Sequence, residues 1–291
     1  MTSNRFGYWT VLFLATLCLA LQAEGADKKI IWMETVFPPG YIHDGPLAGL
    51  GYEDVITDIL QRNLTDYRHE TLMGNLARMI HELKQGRPVC NVAFFKTPER
   101  EAFMYFSIPS TFTLPNGLIT LRKHRDRFGP APEVRLKTVL ADGIRLGISR
   151  DRSYGKAIDA VLDEFRDREN VFVHSGKDVF GSLLRMLLSG RLDCMLGLPE
   201  EVGYVAEQME VRDRIVTIPL IENEGTYDAW LGGVACSKTP WGREVIDRIN
   251  GILRRERPTE QYRGAYERWL DPDAIESYRR LYDSVFLDIV E

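Results

Sequence analysis

Leu83-Lys84-Gln85-Gly86-Arg87-Pro88-Val89-Cys90 returns later in the chain as Leu187-Leu188-Ser189-Gly190-Arg191-Leu192-Asp193-Cys194, so the pattern L-x-x-G-R-x-x-C occurs twice. Each copy reads as the end of an amphipathic helix, a glycine where a helix C-terminus wants one, and the entry into a buried strand. The flanking residues agree with this reading. Leu76, Met79, Ile80 and Leu83 fall at i, i+3, i+4 and i+7, and Val179 to Leu188 carries the second helix. The strands that follow are Cys90 to Phe95 (CNVAFF) and Leu192 to Leu196.

Upstream of the first copy, Lys29 to Met33 (KIIWM) predicts a short buried strand, followed by turn-rich sequence through Phe37-Pro38-Pro39-Gly40 and His43-Asp44-Gly45-Pro46. Val55, Ile56, Ile59 and Leu60 give a helix from Tyr52, and an extended piece lies near Tyr67 to Thr71. Upstream of the second copy the order is the same: strand Ile144 to Ser149, a helix with Ile158, Val161, Leu162 and Phe165, and strand Val171 to His174. This repetition predicts an α/β chain of two similarly built lobes, each a β-sheet flanked by helices. Pro109, Pro115 and Asn116-Gly117 mark one crossing between them, and Ile218 to Gly225 a second, making a two-strand hinge. Residues 27–111 then form the first part of lobe 1, 112–221 lobe 2, and 222–291 the rest of lobe 1. That last part reads as strand Leu231 to Cys236, a helix with Val245, Ile246, Ile249 and Leu253, and helices around Tyr262 to Leu270 and Ile275 to Phe286. Ligands of open α/β sheets sit beyond the carboxyl ends of the strands, so facing lobes would enclose a ligand between them.

Residues 1–26 read as a secretory signal: Arg5, the apolar run Val11 to Leu21, then Ala23-Glu24-Gly25-Ala26. As a helix the run would span roughly 16 Å, short of the roughly 30 Å core of a bilayer. Export to the periplasm is expected, a short membrane anchor being the alternative. Ala15-Thr16-Leu17 before Cys18 lacks the small residue that lipid attachment wants beside the cysteine. Without the signal, Cys90, Cys194 and Cys236 remain, enough for at most one internal disulfide. Of the 291 residues 44% are hydrophobic and 27% charged, which excludes a disordered or fibrous chain. A net charge of −5 without a basic run gives no reason to expect nucleic acid as partner. A monomer is expected.

Thr97-Pro98-Glu99-Arg100 follows the strand ending at Phe95. Thr, Pro and Glu suit a helix start, but the cation of Arg100 faces the positive end of the helix dipole. A ligand carboxylate there would accept both forked N–H donors of Arg100; pairing with a nearby acid is the alternative. Ser153 opens the expected helix Tyr154 to Phe165, whose free N–H groups would suit the other edge of an anion; it reads equally as an ordinary cap.

These elements resemble the bacterial extracellular solute-binding protein family 3, the periplasmic amino-acid receptors of ABC importers, whose two-lobed core is shared with ionotropic glutamate receptors. The likeness runs from about Lys29 to Leu270. It rests on Phe37-Pro38-Pro39-Gly40-Tyr41 with Gly49-Leu50-Gly51-Tyr52-Glu53-Asp54-Val55, on Thr97-Pro98-Glu99-Arg100 with Phe106-Ser107-Ile108-Pro109, and on Ser189-Gly190-Arg191-Leu192-Asp193. It implies the type II periplasmic-binding fold and a ligand handed to a membrane permease or a sensor protein. Arg100 falls on the arginine that clamps the ligand's α-carboxylate, Ser153 and Tyr154 near the helix start that donates to it, and Phe37 on the covering aromatic. Two departures stand out. Ala93-Phe94-Phe95-Lys96 replaces small polar residues before the threonine, and Leu198 stands where an acid usually meets the ligand's ammonium. Glu200 or Glu201, a step later, would have to replace it. Phe95, Phe37, Tyr41 and Trp230 suit an apolar or aromatic ligand, unless they pack in the core.

Catalytic patterns are missing. Gly147-Ile148-Ser149-Arg150-Asp151 is not a hydrolase elbow, and Gly176-Lys177 lacks the rest of a phosphate loop. His43, His69, His81, His124 and His174 show no metal spacing, so neither metal nor cofactor is expected. The alternative function is a periplasmic enzyme of the cyclohexadienyl dehydratase type, which has this fold; Glu200 or Glu201 would supply its acid.

Overall fold

Strand β1 (Lys29–Glu34) is apolar on both faces, as a strand between two helical layers must be. Ile30 and Trp32 enter one core, Ile31 and Met33 the opposite one. The computed structural model describes residues 28–150, 152–176 and 178–289, so the expected signal segment lies outside the described residues. After β1 come α1 (Tyr52–Asn63), β2 (Arg68–Met73), α2 (Leu76–Lys84), β3 (Val89–Phe95), the single turn α3 (Pro98–Glu101) and β4 (Met104–Phe112). The chain then crosses to β5 (Gly117–Leu121), α4 (Leu136–Ala141), β6 (Leu146–Ser149), α5 (Lys156–Glu164), β7 (Val171–His174), α6 (Val179–Leu188), β8 (Cys194–Gly197), α7 (Pro199–Gln208) and β9 (Ile215–Ile218). It returns as β10 (Leu231–Ser237) and ends in α8 (Pro240–Glu256), α9 (Glu260–Glu267) and α10 (Pro272–Leu281). Among the described residues no helix is long and apolar enough to cross a membrane.

Two sheets result, ordered β2-β1-β3-β10-β4 and β7-β6-β8-β5-β9. In each, three parallel strands are followed by one antiparallel to the third and a last one antiparallel to that. The repeated octapeptide thus delivers equivalent strands, β3 and β8, to equivalent positions. Asp193 fixes the second entry: its buried carboxylate accepts Arg145 Nε at 2.9 Å, Arg145 N at 3.0 Å and Arg127 Nη1 at 2.7 Å. Cys90 and Cys236, opposite each other on β3 and β10, form a disulfide, and Cys194 stays free and buried.

Register puts the two carboxyl edges face to face. β4 leaves sheet 1 at Phe112, on the edge where β3 ends, and β5 enters sheet 2 at Gly117, opposite Gly197 at the end of β8. The return starts at Ile218, beside Leu118, and re-enters at Leu231, beside Phe112. Both crossings therefore join the edge beyond β1, β2 and β3 to the edge beyond β6, β7 and β8.

Behind the hinge the C-terminal helices grip lobe 2. A Cβ on Gly203 of α7 would collide with the Trp269 carbonyl, so only glycine allows this approach. Asp271 Oδ2 accepts Thr217 N at 3.0 Å, the Leu270 carbonyl accepts Arg212 Nη2 at 2.7 Å, and Arg122 pairs with Asp273 at 2.8 Å.

Candidate functional site

Among the described residues, five of the eight exposed large apolar side chains lie at or just past the ends of β1, β2 and β3, namely Val36, Phe37, Met73, Leu76 and Phe95, and a sixth, Leu50, stands just before α1. The other two, Phe172 and Val173, sit on the edge strand β7. Single exposed apolar side chains are ordinary, but a group of them is a candidate contact surface, and here most stand on the carboxyl edge of sheet 1. Phe37 folds its ring over Gly40, held by the bridge between Phe37 and Tyr41.

Arg100 rises from the turn after β3. Thr97 caps that turn by accepting Arg100 N at 3.3 Å, and Arg100 Nη1 donates to the Phe95 carbonyl at 2.6 Å. Its guanidinium lies 5.0 Å over the Phe94 ring and makes no ion pair among the described residues. Half-buried, it carries a fixed positive charge beside exposed apolar groups.

Lobe 2 departs from expectation. The helix expected from Tyr154 starts at Lys156, because Gly155, at φ +107°, breaks the backbone first. Asp159 reaches back from α5, accepting the Ser153 hydroxyl at 2.5 Å and Tyr154 N at 2.8 Å. An internal carboxylate thus occupies the donors expected to hold a ligand's anion. The Tyr154 side chain is 1% exposed and its hydroxyl accepts Ser149 N at 2.7 Å, so it supports the wall from inside. The group presented at this edge is Arg152, 4.9 Å over the Phe180 ring and paired with Glu201 at 2.9 Å. Nothing in its local pattern marks it.

Two more expected ligand residues are interior. Tyr41 is wholly buried in the lobe 1 core against Thr57, because its ring completes the packing between β1 and α1. Glu200 is 3% exposed and accepts the Tyr266 hydroxyl at 2.7 Å; Tyr266 in turn accepts Leu114 N at 2.8 Å. Burial, reinforced by the neighbouring Glu201, raises the Glu200 carboxyl to about 8 against the weaker pull of Tyr266 and Arg152. It acts as an inter-lobe tie rather than an open acid for an ammonium or a substrate. Glu34 closes β1 and is nearly buried; desolvation raises its carboxyl above the usual range. It meets His43 and Asp54, a juxtaposition that sequence spacing did not reveal because each comes from a different segment.

No protein-family model and no curated protein matches the sequence. Solved structures do match the fold. A polar amino acid ABC uptake transporter substrate-binding protein from Streptococcus thermophilus is similar with a TM-score of 0.63 at 19% identity, over 87% of this chain and 91% of that one. An ancestral cationic amino acid solute-binding protein gives 0.61 at 16%, over 88% and 99%. The second substrate-binding domain of GlnP from Lactococcus lactis, in its open conformation, gives 0.60 at 15%, over 84% and 95%. The chain has the two-lobed periplasmic-binding fold of the substrate-binding proteins of amino acid ABC transporters.

Proposed function

We propose that this protein is a periplasmic solute-binding protein whose lobes close on a small carboxylate-bearing solute with an apolar or aromatic body. The observation that carries the reading is Arg100, which makes no salt bridge among the described residues, at the carboxyl edge of sheet 1 where Phe37 and Phe95 are exposed. A guanidinium offers a carboxylate two parallel hydrogen bonds, and the phenyl rings offer its body an apolar wall. Closure would bring Arg152 and Phe180 of lobe 2 to the other side of the solute. Solute binding would shift an open–closed equilibrium, and a membrane permease or sensor would read the closed form. The fold shared with substrate-binding proteins of amino acid transporters supports this role, and the leader-like residues 1–26 support the compartment.

A thermal-shift screen of amino acids and small aromatic acids tests it. A ligand present at about 100 times its Kd adds about 2.7 kcal/mol to stability. For a chain of this length that is a rise of about 5–10 °C in Tm. A screen in which no carboxylate moves the transition counts against the proposal.

A further inference from the structure

At the end of β1 three segments place metal-binding side chains together. Glu34 closes the strand, His43 lies in the loop after it, and Asp54 stands in the first turn of α1. One donor atom from each lies within 4.8 Å of the others.

Each side chain is held by a group outside the triad. His43 Nε2 lies 3.1 Å from the Thr35 carbonyl. A carbonyl only accepts, so Nε2 carries the hydrogen, and in the neutral ring the lone pair is left on Nδ1. The Tyr41 ring stacks on the imidazole at 6.0 Å and 11°, which fixes its plane. Asp54 Oδ2 accepts Ile42 N at 2.9 Å and Gly51 N at 3.1 Å, and among the described residues no hydrogen bond engages the other oxygen. Glu34 Oε1 accepts Thr71 Oγ1 at 3.3 Å, leaving Oε2 toward His43. A carbonyl behind the histidine and hydrogen bonds behind the carboxylates are the outer arrangement that metal ligands show.

The separations fit an ion better than direct contact. Glu34 Oε2 and His43 Nδ1 are 3.8 Å apart, too far for a hydrogen bond. Donors bound at about 2.1 Å in tetrahedral geometry would stand about 3.4 Å apart, so sides that now lie within 4.8 Å need to tighten by at most about 1.4 Å. Charge argues the same way. Glu34 and Asp54 come together beside one imidazole, and among the described residues neither carboxylate pairs with a lysine or arginine.

We propose that Glu34, His43 and Asp54 form a binding site for a divalent first-row transition metal, with His43 Nδ1 and one oxygen of each carboxylate as its protein ligands. Imidazole with carboxylates suits zinc and its neighbours, and three protein ligands leave a coordination position for water. The site does not depend on whether the cleft captures a solute.

The test is calorimetric titration of untagged, chelator-stripped protein with Zn²⁺, repeated with Co²⁺ in the visible absorption spectrometer. One Zn²⁺ per chain and cobalt ligand-field bands are expected. His43→Ala should weaken zinc by at least about 100-fold, and Asp54→Asn should weaken it too, while His81→Ala on the exposed face of α2 should bind as the parent does. Circular dichroism of each variant checks that the fold persists. Absence of zinc binding by the parent, or equal affinity in a folded His43→Ala variant, overturns the proposal.

Discussion

Replacing Tyr266 by phenylalanine removes one oxygen from the tie between hinge and lobes. That hydroxyl accepts Leu114 N at 2.8 Å and donates to Glu200 Oε2 at 2.7 Å, and all three groups are shut off from water. Phenylalanine keeps the ring contacts with Tyr52 and Tyr278 but leaves a backbone N–H and a carboxyl oxygen without partners. A buried polar group left unsatisfied costs about 1–3 kcal/mol, so the pair should cost about 2–6 kcal/mol. Tyr262→Phe is the internal comparison. Its hydroxyl only donates, to the Ser110 carbonyl at 2.7 Å, and its loss should cost about 1 kcal/mol. Urea unfolding followed by fluorescence reads both, with the midpoint falling and the slope unchanged. If Tyr266→Phe loses less than about 0.5 kcal/mol, or no more than Tyr262→Phe, the tie is not the buried link described.

Two further outcomes follow from the same geometry. Glu200, raised by burial from 4.5 to about 8, is faced by Tyr266, Tyr52, Glu201 and Arg152. The folded state thus holds its proton more tightly than the unfolded one. The stability this contributes is full below the ordinary carboxylate range and is lost as pH rises toward 8. Glu200→Gln cannot titrate, so its urea stability relative to the parent should improve between pH 5 and pH 8 by on the order of 1.4 kcal/mol per unit; a constant difference refutes the assignment. The Cys90–Cys236 disulfide spans a separation of 146 residues. Replacing both cysteines by alanine should lower unfolding stability by about 2–5 kcal/mol, and an unchanged midpoint would mean the bridge is not formed.

Much of the fold was legible because its signals are local. The glycine after each amphipathic helix and the apolar run behind it mark β3 and β8 wherever the chain goes next, and α6 spans Val179–Leu188 as its periodicity predicts. The site was harder to read. Tyr41, Tyr154 and Glu200 carry side chains as suited to a cleft as to an interior, and only packing decides between them. Asp159 reaches Ser153 because Gly155 turns the chain out of the helix, a bend that one glycine among many does not announce. Glu34, His43 and Asp54 meet through the return of the 35–51 loop onto α1, a tertiary event without a sequence period.

Solute capture, as proposed, turns on Arg100. Calorimetry with the carboxylate that most raises the Tm should compare the parent with Arg100→Ala. Loss of the forked contacts, worth about 2–5 kcal/mol in a desolvated pair, should weaken binding by at least about 30-fold. Equal affinity in the two proteins would contradict the account.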